Sequence, residues 1–207
     1  TNAASLRAYR ISDRNIIAQI EASNLGSALN GWSEQELANS AAQKVFEGRV
    51  EIRNERNREV TTALPLSELL PNLRPGLHVV VAALPGVERE EYESLATHWF
   101  TVSDIGLTVL SGAGGLDVVA SSLAEAKPQA GLGLELISHG NEPIGTATTD
   151  AQGHATFPIG LLRGQGGSAP RLLLARGADG EFTYLELDRS ALDLVELGVD
   201  GRAPPGP

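Results

Sequence analysis

The stretch HWFTVSDIGLTVLSG, residues 98–112, decides how the chain is divided. Thr97–Val102 reads as a strand, and Ile105, Leu107 and Val109 begin a second alternation after only Ser103-Asp104. A period of two sends successive side chains to opposite faces of a pleated strand, so two strands run in series through a two-residue joint. Charge changes character at the same place: 10 basic and 13 acidic residues precede Asp104, and 6 and 13 lie from it onward, giving −3 and −7. The expectation is one domain over residues 1–103, a second over 104–200, and the start of a linker at 201–207, where Ala203-Pro-Pro-Gly-Pro207 is linker-like. So short a joint restricts the two domains to a limited set of angles.

Downstream of the joint, turn residues recur at regular intervals. Gly112-Ala-Gly-Gly115 separates Ile105–Leu110 from Leu116–Ser121, and Lys127-Pro-Gln-Ala-Gly131 introduces Leu132, Leu134 and Leu136. His139-Gly-Asn-Glu-Pro143 leads into Ile144–Thr149, and Asp150-Ala-Gln-Gly153 into His154–Phe157. A glycine-rich loop, Leu161–Pro170, precedes Leu172–Arg176, which Gly177-Ala-Asp-Gly180 joins to Phe182–Leu187. Some seven short strands at these spacings, with no alternation of strand and long helix, predict an antiparallel sandwich of immunoglobulin or fibronectin type.

Upstream, Leu77–Leu84 is the strongest strand, launched by Leu73-Arg-Pro-Gly-Leu77. There Pro75 presets one turn dihedral and Gly76 accepts the positive φ that a type II turn demands. Leu6–Ile11, Ile16–Glu21, the Val50–Ile52 alternation and Thr61–Leu66 read as further strands, with Asp13-Arg14 turning between the first two. One helix is predicted near residues 33–46: Ser33 and Glu36 form a capping box, Trp32 and Leu37 a hydrophobic staple, and Leu37, Ala41 and Val45 share a face before Gly48 ends it. Glu88–Glu93 reads as an acidic, exposed connection. The fold class is therefore mainly β: two tandem antiparallel sandwiches, the first with a helical insertion.

Composition removes several functions. With no cysteine there is no disulfide framework, thiolate zinc site, cysteine nucleophile or redox switch in these 207 residues. A net charge of −10, with lysine only at Lys44 and Lys127, opposes a nucleic-acid surface, which relies on clustered cations. The densest basic stretch, Arg49–Arg58, alternates with Glu47, Glu51, Glu55 and Glu59 and reads as a solvated strand face. No apolar run approaches the roughly 20 residues of a membrane-spanning helix, so direct membrane insertion of this stretch is not expected. Because Thr1 stands where a methionine would begin a chain, the sequence is expected to be a piece of a longer one.

Candidate chemistry is sparse. The nearest imitation of a serine nucleophile turn, Leu110-Ser-Gly-Ala-Gly114, falls in a predicted hairpin. His78, His98, His139 and His154 lack ligand spacing, and Asp150-Ala-Gln-Gly153 opens like a calcium loop but has Leu161 where the bidentate glutamate belongs. Gly164-Gln-Gly-Gly167 has no Lys-Ser/Thr ending for phosphate and reads as a mobile loop. A sugar platform would need two or three aromatics on one face, whereas Trp99 and Phe100 point opposite ways on a strand. No residue is assigned a catalytic, cofactor-binding or metal-binding role, and no cofactor is expected.

Taken in order, LRPGLHVVVAAL (73–84), HWFTVSDIGLTVLSG (98–112), AKPQAGLGLELI (126–137), GTATTDAQGHATF (145–157) and LELDRSALDLVELGVDGR (185–202) resemble the amino-terminal part of the bacterial alpha-2-macroglobulin family. The resemblance covers residues from about 45 onward. It implies two consecutive macroglobulin-like domains of a large periplasmic protein anchored to the inner membrane by lipid. Such proteins trap attacking proteases, in some members with a Cys–Gln thioester that this cysteine-free stretch excludes. The implied role is non-catalytic scaffold, with neighbouring macroglobulin domains as direct partners and target proteases reached through the parent. The alternative is an immunoglobulin-like adhesion or carbohydrate-binding module at the cell surface or in the periplasm.

Overall fold

In the computed structural model, which describes residues 2–22, 24–53, 55, 57–71, 73–86, 93–187 and 192–193, the chain divides into two units, Thr1–Val102 and Ser103–Pro207. The Glu88–Glu93 connection, apart from Glu93, and the linker-like tail lie outside the described residues.

The first unit is built on one antiparallel sheet in the order β2-β1-β3-β4: β2 (Ala42–Glu51), β1 (Ala3–Ile11), β3 (Gly76–Ala83) and β4 (Ala96–Val102). Alternation in β1 sends Ala4, Leu6 and Ala8 to one face, where they join Val50, Leu70 and Val80 under the segment carrying α3 (Leu66–Leu69). The opposite face presents Arg7 and Tyr9 to helix α2 (Gly31–Ser40). Ile16, Ile17 and Ile20 of α1 (Ile16–Glu21), with Leu29 and Leu37, are also buried. Each such aliphatic side chain contributes about 1.5–3 kcal/mol when it leaves water. Among the described residues, then, helices and irregular chain cover this sheet. Gly76 has the expected positive φ, 126°, although it is already the first residue of β3 and pairs with Val102.

Three local readings require correction. Ile16–Glu21 is a helix rather than a strand: Ile16 and Ile20 are four apart, so with Ile17 they make one helical face, and all three are buried. The helix expected near 33–46 spans Gly31–Ser40, and its capping box joins Asn30 to Ser33, whose backbone N–H donates to Asn30 Oδ1 at 2.8 Å. From Ala42 the chain is already β2, and Val45 and Gly48 lie within that strand because pairing with β1 overrides helical propensity. Thr61–Leu66 forms no strand; the chain instead makes one helical turn from Leu66.

The second unit is a sandwich. One sheet runs β11-β10-β7-β8 (Phe182–Glu186, Pro170–Arg176, Gly133–Ser138, Pro143–Thr148). The other runs β12-β5-β6-β9 (Leu192–Asp193, Ile105–Gly112, Gly115–Ser122, His154–Pro158). All pairings are antiparallel except the short parallel contact of β12 with β5. Inward positions from both layers meet in one core: Ile105, Val109, Val118 and Phe157 from one sheet, Leu134, Leu136, Leu173 and Ala175 from the other. The Leu161–Pro170 loop is not loose. It holds two 3-10 turns, and Gly167 O accepts the Gly140 amide at 2.8 Å.

Candidate functional site

A densely bonded polar constellation of the second unit lies at its entrance. Glu181, just before β11, accepts on Oε1 both the Ser103 hydroxyl at 2.9 Å and the Asp104 amide at 2.5 Å. Ser103 Oγ in turn accepts the Ile105 amide at 3.0 Å. Asp104 then reaches forward: its carbonyl accepts the Leu123 amide at 2.8 Å, its Oδ1 the Ala124 amide at 2.8 Å, and Gln129 Nε2 donates to its Oδ2 at 3.2 Å. The Ser122 hydroxyl, followed by the Ala124 amide, holds the Asp104 carboxyl below the usual carboxylate range. The Ser103 hydroxyl and the amide, carbonyl and carboxylate of Asp104 are thus tied to residues 19 to 78 positions away, which fixes the direction in which the chain enters β5.

A second constellation braces the first unit. Glu34 of α2, 7% exposed, accepts Arg7 Nε at 2.5 Å and Tyr9 OH at 2.7 Å on Oε1, and Arg7 Nη2 at 2.7 Å on Oε2. Bidentate geometry to a buried carboxylate is the stronger form of ion pair. Burial and then the Glu34 carboxylate push the Tyr9 hydroxyl well above the ordinary tyrosine range, which keeps it a donor. The cluster pins helix to sheet.

The residues considered for chemistry are dispersed into structural tasks. Ser111 closes the β5–β6 hairpin opposite Leu116, with Gly112 opposite Gly115. Asp150 caps its own turn, Oδ1 accepting the Gln152 and His154 amides at 2.9 and 2.8 Å. His78 is wholly buried, its Nδ1 donating to Gly76 O at 2.9 Å and its ring stacked on Phe100 at 5.4 Å. Burial, aided by the charge of Arg10 and opposed by the Gly76 carbonyl, lowers its pKa. Trp99 donates its indole N–H to Ser27 O at 2.8 Å, which leaves Trp32, 49% exposed, as the open tryptophan. Among the described residues, no three His, Asp or Glu side chains converge as metal ligands. Neither Glu181 nor Glu34 was legible as a site residue, because each acquires partners far along the chain; Glu34 in a helix opposite alternating Arg7 and Tyr9 is the only sequence hint.

Two family models match the chain in sequence order: the bacterial alpha-2 macroglobulin MG2 domain over residues 1–100 and the bacterial alpha-2-macroglobulin MG3 domain over residues 102–204. The alpha-2-macroglobulin of Escherichia coli (strain K12) is 30% identical over 200 residues, 97% of this chain and 11% of that protein. That of Xylella fastidiosa (strain Temecula1 / ATCC 700964) is 28% identical over 185 residues, 89% and 10%. The chain therefore spans about a tenth of the length of the curated relatives it matches. Its fold is similar to a crystal structure of native alpha-2-macroglobulin from E. coli spanning domains NIE-MG1, at TM-score 0.71 and 28% identity, covering 91% of this chain and 85% of that one. The trypsin-activated protein from E. coli gives TM-score 0.71 and 29% identity over 97% of this chain and 13% of that one.

Proposed function

Because the chain belongs to the bacterial alpha-2-macroglobulin family, carrying consecutive regions that match MG2 and MG3, we propose that it is a non-catalytic scaffold within a protein that traps and inhibits attacking proteases. In this reading the parent is periplasmic and anchored to the inner membrane by lipid. Neighbouring macroglobulin domains are the direct partners of residues 1–207, and target proteases are met through the parent. One observation carries the proposal: two consecutive macroglobulin domain models match residues 1–100 and 102–204, so nearly the whole chain is accounted for by domain-forming stretches of the family. The Glu181 and Glu34 constellations support it, since both spend their polar groups on holding shape.

The test uses the full-length parent. Brief treatment with trypsin is expected to give one preferred early cut outside residues 1–207, a more compact particle by small-angle scattering, and retained protease. Uniform degradation without compaction would remove the trap reading. Release of the parent by osmotic shock only after detergent or lipase treatment is the expected fractionation result; release by shock alone would remove the lipid anchor.

A further inference from the structure

We propose that the groove beside β2 in the first unit is a docking site for an acidic, extended peptide segment of a partner polypeptide. β2 is an outer strand, so the peptide groups along its far edge face no other strand among the described residues. Next to it opens a groove of about 450 Å³ between the first half of β2 and the segment that follows α3. Phe46, Leu69 and Leu73 are among its apolar lining, and three cations, Arg10, Lys44 and Arg74, line it with no carboxylate among the described lining residues. In a chain of net charge −10, that is a local inversion of sign.

The three cations are not equivalent. Arg10 donates Nε and Nη2 to Pro75 O at 3.0 and 2.9 Å, which anchors its guanidinium. Lys44 pairs with Glu47 at 2.6 Å, but both side chains are at least half exposed, and such a pair exchanges readily for another carboxylate. Arg74 is exposed and has no hydrogen bond or ion pair among the described residues. Two exposed positive charges with apolar side chains between the sheet face and the segment after α3, on the face that ends at outer strand β2, match a peptide that carries carboxylates around one bulky apolar side chain. Strand addition at β2 would supply main-chain hydrogen bonds, the apolar lining would take the apolar side chain, and charge complementarity would select against basic sequences.

The probe is the synthetic peptide acetyl-DEDFLDED-amide, titrated calorimetrically into the 207-residue chain at low salt. Binding is expected to weaken about tenfold, or about 1.4 kcal/mol, in the double variant K44E/R74E, since two exposed ion pairs with the peptide are lost. The milder K44Q/R74Q should fall between, and R163E, a charge reversal in the other unit, should change nothing. Tryptophan-monitored unfolding for the Lys44 and Arg74 variants and circular dichroism for R163E confirm that each variant is folded, and amide exchange on the bound form should slow over residues 43–47. Absence of binding, affinity indifferent to both double variants, equal affinity for an oligothymidylate of the same charge, or self-association in place of peptide binding would each overturn the proposal.

Discussion

Replacing Glu34 with alanine should destabilise the first unit by about 2–4 kcal/mol while leaving the second unchanged. The carboxylate accepts three short hydrogen bonds, from Arg7 Nε, Arg7 Nη2 and Tyr9 OH. Breaking a fully buried ion pair costs about 3–5 kcal/mol, but the Arg7 side chain keeps 25% exposure, so water recovers part of that loss. About 1 kcal/mol is left for the arginine after this screening. Tyr9 is only 4% exposed and has no such recourse; its stranded hydroxyl costs about 1–3 kcal/mol. Both tryptophans, Trp32 and Trp99, belong to the first unit, so urea unfolding followed by tryptophan fluorescence reads that unit alone. With a slope of about 2 kcal/mol per molar urea, the middle of the range for a small domain, the midpoint should fall by about 1–2 M. Tyr9→Phe should cost less alone and add little on top of Glu34→Ala, because the two share one interaction. An unchanged tryptophan midpoint, or an equal shift in the second unit by circular dichroism, would refute the argument.

Gly115→Ala should act on the other unit. Its φ of +138° is poorly tolerated by L side chains, and an added Cβ would lie 2.0 Å from Phe157 O and 2.9 Å from Ile159 N, so a loss of about 2–4 kcal/mol is expected, visible by circular dichroism with the tryptophan transition unmoved. For His78, the lowered folded pKa means that the unfolded chain binds the proton more readily. First-unit stability should therefore be level above the unfolded value near pH 6.5 and fall below it, by at most about 1.4 kcal/mol per pH unit until the folded pKa is reached. His78→Phe should flatten that slope in tryptophan-monitored unfolding between pH 7 and 5; an unaltered slope would assign it to other groups. Glu181→Ala releases the Ser103 hydroxyl and the Asp104 amide, and exchange of the Asp104 amide should accelerate at least about tenfold while core amides of β10 keep their rates. Equal acceleration throughout the unit would mean that the residue supports global stability instead.

What the chain determined locally is the set of second-unit strands and their reversals. Period-two alternation places Leu134 and Leu136 on one face of β7, and Asp150 with Gly153 makes a turn whose bonds close within four residues. Such features were legible because both partners lie inside the window being read. The first unit shows the opposite case. Ile16–Glu21 is short enough that an apolar run fits helix or strand, and Ala42–Val45 continues a helical pattern until β1 claims it. The carboxylates that brace the structure were invisible for the same reason: Glu34 meets Tyr9 across 25 residues, and Glu181 meets Ser103 across 78. Nothing local to a glutamate distinguishes a solvated side chain from one that three donors will enclose. Only the packed arrangement decides it, because the free energy of burying a charge depends on partners that the chain brings together by folding.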